Sequence, residues 1–245
     1  MIVMLDILGS VRRRSDFAAT RRSLKRHLRA FSALRDLQVQ MIAVRRLTPR
    51  FPFLGMLRTV LAVRRKQFRS QARREILAIR LQAMEQELAT VETRLEALLA
   101  DPTMRDAVRQ IVLGALGKTF ARAATLRTGA LSGKPARIHR FRIAFKKFRY
   151  TVEVLQQLLP AVDPKLLKAM NAYQTRMGDI QDIEVFIGTT TAFTQRHIRT
   201  HPVQSLRLKV YLMNRRREMI LQFLASADEL DGFWHSLFAT PPPGA

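Results

Sequence analysis

The sequence predicts an all-α protein, and three observations support this prediction. Glycine and proline number only 10 each in 245 residues, and they stand between long segments of other residues. Those long segments place apolar residues at helical spacing, and the strict alternation that is typical of strands is absent. Several segments also begin with a proline, which is common at the first position of a helix. We therefore expect helices joined by short turns.

Three helices are predicted in the first part of the chain. The first two cover residues 16–31 and 33–48. Pro49 and Pro52 then bracket a turn, because proline cannot continue the interior of a helix. A third and much longer helix is predicted over residues 53–98.

Five helices are predicted in the remainder, over residues 103–127, 136–159, 164–194, 203–226 and 228–238. Four of these helices begin at a proline: Pro102, Pro135, Pro164 and Pro202. An aspartate N-cap precedes the first and the third of these prolines. The Ser-Gly-Lys-Pro stretch at 132–135 is the best break in the chain. It divides a first half of about 1–131 from a second half of about 132–245.

The composition points to a polyanionic partner. Lys and Arg number 43 against 19 Asp and Glu, so the formal charge is +24 at pH 7. Such an excess destabilises a compact protein by self-repulsion unless an anion offsets it. Nucleic acid, an anionic membrane surface and polyphosphate all meet that need. The chain has no cysteine, which excludes disulfides and thiolate metal sites, and no stretch of 18 uncharged apolar residues predicts a membrane span.

The basic residues are concentrated in two windows that contain no acid. Residues 37–74 hold ten Lys or Arg, and residues 107–152 hold eleven. Charge arranged in this way predicts a focused positive field. The alternative is that both windows are ordinary solvated helix faces.

Within the second window, the predicted helix 136–159 separates its cations from its apolar residues. At about 100° per residue, Phe141, Phe145 and Phe148 fall on an apolar arc that predicts a core face. A second arc gathers the polar side chains His139, Arg142, Lys146, Arg149, Tyr150 and Glu153. The cations of this arc form a stripe about 16 Å long along the helix, which suits a linear polyanion better than a single phosphate.

The long helix 53–98 repeats the arrangement. Four arginines, Arg58, Arg65, Arg69 and Arg73, lie within about 80° of one another and are joined by Arg80. The absence of any acid between residues 37 and 74 argues against ordinary pairing with carboxylates one helical turn away. We therefore predict a second basic surface here, with a solvated helix face as the alternative.

A weak internal repeat links the two halves. The heptapeptide ALRDLQV at 33–39 aligns with DIQDIEV at 179–185, which places Asp36 over Asp182 and Val39 over Val185. This repeat predicts two similar helical halves packed about a pseudo-two-fold axis.

Four segments resemble the CHAD family, the conserved histidine α-helical domain. The segment IHRFRIAFKKFRYTVEVL at 138–155 is similar to the second signature helix of the family, and it matches at His139, Arg142, Lys146, Lys147, Arg149, Tyr150 and Glu153. The supporting matches are YQTRMGDIQDIEVF at 173–186 (Gln174, Gly178, Asp182 and Val185), LRAFSALRDLQV at 28–39 (Leu34, Arg35, Asp36 and Val39) and GFWHSL at 232–237.

This resemblance implies two antiparallel four-helix halves around a basic channel that binds inorganic polyphosphate without catalysis. The expected polyphosphate-binding residues are His139, Arg142, Lys146, Lys147, Arg149, Tyr150, Arg58, Arg65, Arg69, Arg73 and Arg35. The first His-containing signature helix of the family has no match before RSLKRHLRAF (22–31), so we expect a less closed channel and weaker binding. The expected location is the cytoplasm, including polyphosphate granules.

Other functions fit the sequence less well. A nucleic-acid-binding protein without sequence specificity is the main alternative, but aromatic residues are only 7% of the chain and fall mostly on apolar arcs, so base stacking is poorly supplied. A phosphohydrolase needs clustered carboxylates for Mg²⁺, and the basic arcs lack them. A partner-binding scaffold is a further alternative. We predict no metal site and no cofactor.

Overall fold

The structure is a computed structural model that describes residues 2–11, 18–77, 100–197 and 201–238, with scattered positions between 78 and 99. No strand occurs in these residues, which confirms the predicted all-α class. The α-helices are α1 (Ile2–Val11), α2 (Ala18–Leu47), α3 (Leu54–Leu77), α4 (Pro102–Ala130), α5 (Pro135–Leu155), α6 (Pro164–His197), α7 (Pro202–Ala225) and α8 (Glu229–Ser236). None of them, over the described positions, is long and apolar enough to cross a bilayer.

The four helix starts predicted at proline are confirmed. Helices α4, α5, α6 and α7 each begin at a proline. The Asp101 side chain caps α4 by accepting the backbone N–H of Thr103 at 2.9 Å, and Asp163 accepts the backbone N–H of Leu166 at 2.7 Å at the start of α6. The turn between α4 and α5 contains Gly133 with φ of +68°, a conformation that glycine adopts without steric cost.

One predicted boundary is wrong, and two predicted helix ends differ. No break separates 16–31 from 33–48, because α2 is continuous there and the Ser32 hydroxyl donates to the Leu28 carbonyl inside the helix at 2.8 Å. Helix α5 ends at Leu155 and continues only as a 3₁₀ turn over Gln156–Leu158. Helix α3 is described to Leu77, and the rest of the predicted helix to residue 98 lies largely outside the described residues.

A first apolar core is built around α5. The rings of Phe141, Phe145 and Phe148 are fully buried, which confirms the predicted apolar face. Tyr173 of α6 packs edge-on against Phe145 with ring centroids 4.8 Å apart, and its hydroxyl donates to the Ala227 carbonyl at 3.1 Å. Helices α1, α4 and α8 and the C-terminal end of α7 close this core.

A second apolar core joins α2 and α3 to the opposite ends of α6 and α7. Leu54, Leu57 and Leu61 of α3 are buried there against Phe186 of α6 and Leu212 of α7. Helices α6 and α7 therefore run through both cores and fix one relative to the other. Each core takes helices from both sides of residue 131, and the pseudo-two-fold axis and the division into halves stay predictions.

Candidate polyanion-binding site

Helix α5 holds His139 and the neighbouring Arg142 at the edge of the first core. His139 is half-buried, and this burial together with the nearby charge of Arg142 holds the pKa of His139 below its ordinary value of 6.5. The imidazole is therefore mainly neutral at neutral pH. Its Nδ1 atom is buried and has no hydrogen-bond partner among the described residues.

Arg142 extends from α5 toward α6. Its Nε lies 3.5 Å from the point where a Cβ at Gly178 would stand, so the guanidinium packs closely over the α6 backbone. The Nε atom is buried without a hydrogen-bond partner in the described part of the chain. No ion pair with a carboxylate is formed by Arg142 within that same part, although its charge is felt by Asp179 and Asp182. The terminal nitrogen atoms of Arg142 are thus available to a bound anion.

The predicted α5 site residues fall into two groups. Arg149 is buried, with its Nε donating to Gln174 at 3.1 Å and its Nη1 bound to Glu153. Lys147 pairs with Asp6 of α1 at 2.9 Å. Lys146, by contrast, is exposed and lies 5.5 Å from the centre of the half-buried Tyr150 ring. Arg149 and Lys147 are therefore tied to protein acceptors, whereas Arg142 and Lys146 are not tied to any carboxylate that the structure describes.

Asp6 is a functional neighbour that the sequence reasoning missed. Burial raises the pKa of Asp6, but the charges and hydrogen bonds of Lys147 and Arg21 outweigh it and hold the pKa below 3.8. The carboxylate accepts from Arg21 at 2.7 Å and from Lys147 at 2.9 Å. Helix α1 thus anchors one of the α5 cations, and no local sequence pattern connects Asp6 to a lysine so far along the chain.

The two copies of the internal repeat meet beside Arg142. Arg35 and Asp36 of α2 are close enough to Asp182 of α6 to act on its ionisation, and Gln40 accepts the hydroxyl of Thr189 at 2.9 Å. Burial raises the pKa of Asp182, Arg35 and Arg142 oppose that rise, and Asp36 adds to it. The structure therefore brings the predicted site residue Arg35 to the same region as Arg142.

A second carboxylate lies in this region. Partial burial and the charge of Asp182 raise the pKa of Asp179, while Arg215 and Arg142 oppose the rise. The region consequently alternates guanidinium and carboxylate groups from α2, α5, α6 and α7. Its carboxylates reduce the local positive charge when they are ionised. We name Arg35, His139, Arg142 and Lys146 the α5 surface.

The arginines predicted on α3 form a separate surface. Arg58, Arg65, Arg69 and Arg73 are all exposed, and the last three line an open groove of about 580 Å³ with Lys66. Helix α3 packs mainly on α2, whereas α5 packs mainly on α4 and α6. We name these four arginines the α3 surface. Arg80, predicted to extend it, lies outside the described residues.

Comparison with known proteins identifies the family but gives no relatives. No curated protein and no solved structure matches the chain. A family model described as the CHAD domain matches residues 3–190, which include His139, Arg142, Lys146 and the repeat copy at 179–185. The segment GFWHSL at 232–237 lies beyond the matched residues. Because the match covers more than half of the chain, the chain belongs to the CHAD family.

Proposed function

We propose that this chain is a non-catalytic module that binds inorganic polyphosphate at the α5 surface. The observation that carries the proposal is the state of Arg142 and Lys146. They stand one helical turn apart, and neither is paired with a carboxylate among the described residues, although Arg149 and Lys147 beside them are. The association of CHAD domains with polyphosphate supports the same ligand.

The geometry favours a chain of phosphates over a single phosphate. His139 and Lys146 are separated by about 10 Å along the axis of α5, at 1.5 Å per residue. Arg35 adds a cation from α2 that, like Arg142, acts on the ionisation of Asp182. Guanidinium groups bind phosphate oxygens in a planar, bidentate manner, and lysine adds a mobile charge. Several phosphate groups of one polyanion can therefore be bound at once.

The repeat and the exposed arginines suggest how the surface extends. The α3 surface supplies four further exposed cations, none of which forms an ion pair with a carboxylate among the described residues. We propose that a long polyphosphate chain also reaches these arginines, which act as exposed charges and contribute mainly to the salt-dependent part of binding. A channel enclosed by the two surfaces stays part of this proposal, as does the cytoplasmic location.

Binding without sequence specificity to nucleic acid is the alternative. The net charge permits it, but the large rings Phe141, Phe145 and Phe148 are fully buried and cannot stack on bases. Single-stranded nucleic acid gains much of its affinity from such stacking. Polyphosphate has no bases, so its affinity for a surface of cations does not depend on exposed rings.

The experiment compares two double variants that each remove one lysine and one arginine spaced by four residues. Arg142→Gln with Lys146→Gln changes the α5 surface. Lys118→Gln with Arg122→Gln changes exposed residues of α4 with the same loss of charge. We expect the first variant to lower affinity for long-chain polyphosphate on the order of 100-fold, at about 1.5–3 kcal/mol per charged hydrogen bond. The second variant should change it by less than about threefold.

Calorimetry at one fixed salt concentration measures both variants and the unchanged protein. Single- and double-stranded DNA of matched charge serve as competitors for the alternative function. Equal losses from the two double variants would mean that binding depends only on total charge. Tighter binding of DNA than of polyphosphate would favour the nucleic-acid alternative instead.

A further inference from the structure

A cleft of about 900 Å³ lies between α7 and the turn that joins α2 to α3. None of the four residues of the α5 surface lines it, although Arg215 in its wall also acts on the ionisation of Asp179. Its volume is in the range of small-molecule sites, which is about 300–1,000 Å³. Its walls differ in kind from the basic surfaces described above, because aromatic, aliphatic and amide groups alternate with arginines.

The floor of the cleft is a guanidinium group that lies over one aromatic ring, with a second ring tilted at 53° beside it. Phe51 is buried, and its ring centroid lies 6.0 Å from that of Tyr211. The guanidinium carbon of Arg50 lies 4.6 Å from the Tyr211 centroid, a cation–π distance. Arg50 is itself exposed. Arg50 over Tyr211 is therefore a stack whose outer member is exposed, and bases stack on guanidinium planes as they do on rings.

Beside this stack stand two aliphatic side chains that the fold leaves in water. Leu206 is 64% exposed and Val210 is 51% exposed, and both line the cleft. They come from the first turns of α7 and lie one turn apart. Their exposure has an energetic cost that a flat apolar ligand would remove.

The polar groups lie on the adjoining face of α7. Arg207, Tyr211 and Arg215 follow one another at intervals of four residues, so they share one side of the helix. Asn214 lies next to Arg215 and offers both amide donors and an acceptor. Arg215 also pairs with the exposed Glu218 at 3.0 Å, and an anion of higher charge has to displace this weak pair.

We propose that this cleft binds a nucleoside phosphate. The base stacks on Arg50 and Tyr211 against Leu206 and Val210, and Asn214 hydrogen-bonds to the edge of the base. The phosphate groups bind Arg207 and Arg215. Inorganic polyphosphate has no group that fills the apolar part of the cleft, so this ligand differs from that of the α5 surface.

The test compares ATP with inorganic tripolyphosphate, which carries a similar charge but no base. Calorimetry is performed on the Arg142→Gln and Lys146→Gln double variant, so that the α5 surface contributes little, and is repeated on the unchanged protein. We expect ATP to bind about 5- to 150-fold more tightly than tripolyphosphate, the range given by stacking of one base. Equal affinities for the two ligands would overturn the proposal.

Two variants locate the effect. Tyr211→Leu keeps charge and bulk but removes the ring, and Arg50→Gln removes the exposed end of the stack. Tyr211→Leu should reduce ATP affinity toward that of tripolyphosphate and leave tripolyphosphate unchanged. Arg50→Gln also removes a positive charge, so it should weaken ATP more than tripolyphosphate. Arg207→Gln should weaken both ligands. If the preference for ATP survives both Tyr211→Leu and Arg50→Gln in protein that circular dichroism shows to be folded, the cleft is not the site.

The outcome is independent of the polyphosphate proposal. Loss of polyphosphate binding in the α5 variant, with no preference for ATP, would retain the first proposal and refute the second. A preference for ATP that depends on Tyr211, with polyphosphate binding unaffected by the α5 variant, would do the reverse.

Discussion

Helices α5 and α3 carry similar runs of cations, but they are held in the protein in different ways. Helix α5 buries nine residues, including three phenylalanines of the first core, whereas the described part of α3 buries four. Two cations of α5 are fixed by neighbouring acceptors, Arg149 by Glu153 and Gln174 and Lys147 by Asp6, whereas Lys146 is exposed. Those of the α3 surface are exposed.

This difference separates a positioned charge from a diffuse one. A cation held by packing loses little side-chain entropy when it binds an anion, whereas an exposed arginine loses side-chain freedom and is screened by salt. Arg142 is the clearest case, because its side chain is packed over Gly178. Net charge alone does not distinguish the two helices.

The largest expected effect is the loss of stability when an apolar side chain is truncated in α5 or in α3. Phe145 of α5 is fully buried, whereas Val63 of α3 is 59% exposed. Phe145→Ala should reduce the free energy of unfolding by about 3–5 kcal/mol, through lost burial and the cavity that remains. Val63→Ala should change it by less than about 0.5 kcal/mol. Urea unfolding followed by circular dichroism measures both, and a similar cost for the two would contradict the contrast in packing.

The next effect concerns the salt dependence of polyphosphate binding. Arg69→Gln with Arg73→Gln removes two exposed α3 arginines at the spacing of Arg142 and Lys146. We expect a loss below about tenfold at low salt, because exposed ion pairs contribute about 0.2–1 kcal/mol each. This loss should shrink as salt rises from about 0.05 to 0.5 M, since the Debye length falls.

The α5 double variant is the comparison for this titration. Its loss relative to the unchanged protein should persist over the same salt range, because Arg142 is partly buried and less screened. If both losses shrink in parallel, the α5 surface binds in the same diffuse way as α3. If neither shrinks, the α3 arginines are positioned by contacts that their exposure does not indicate.

The sequence predicted the parts of this contrast that depend on local spacing. The apolar arc of Phe141, Phe145 and Phe148 follows from helical periodicity, and the starts of α4 and α6 follow from aspartate and proline. The break placed near residue 32 was wrong because a serine can bond within a helix as readily as cap one.

The remaining features depend on tertiary packing. The pairing of Lys147 with Asp6 joins residues 141 positions apart, and the approach of Arg142 to Asp182 follows from how α5 packs on α6. Helical periodicity placed Arg149 on the polar arc, but the arc does not show that Gln174 and Glu153 cover it. The sequence did not predict the cleft lined by Tyr211, because its lining comes from two segments that are distant along the chain.

The smallest expected effect concerns Asp182, the carboxylate on whose ionisation both Arg35 and Arg142 act. Burial raises its pKa above 3.8 even though both arginines oppose the rise. The charged form is therefore unfavourable in the folded protein. The cost is absent at low pH, where the carboxyl is protonated in both states. It grows as pH rises above 3.8, where the unfolded chain ionises first, and is complete above the raised pKa. Asp182→Asn should thus stabilise the protein at neutral pH and give no gain near about pH 3.

The same substitution should strengthen polyphosphate binding. Removing the negative charge leaves Arg35 and Arg142 uncompensated, so we expect a gain of about two- to fivefold at neutral pH, equivalent to a fraction of a kcal/mol to about 1 kcal/mol. The gain should disappear as pH falls and Asp182 in the unchanged protein takes up its proton. Asp106→Asn on the exposed face of α4 removes an equal charge away from the α5 surface and is the control. Calorimetry from neutral to acidic pH measures both, and an equal gain from Asp106→Asn would place the effect in the total charge of the protein.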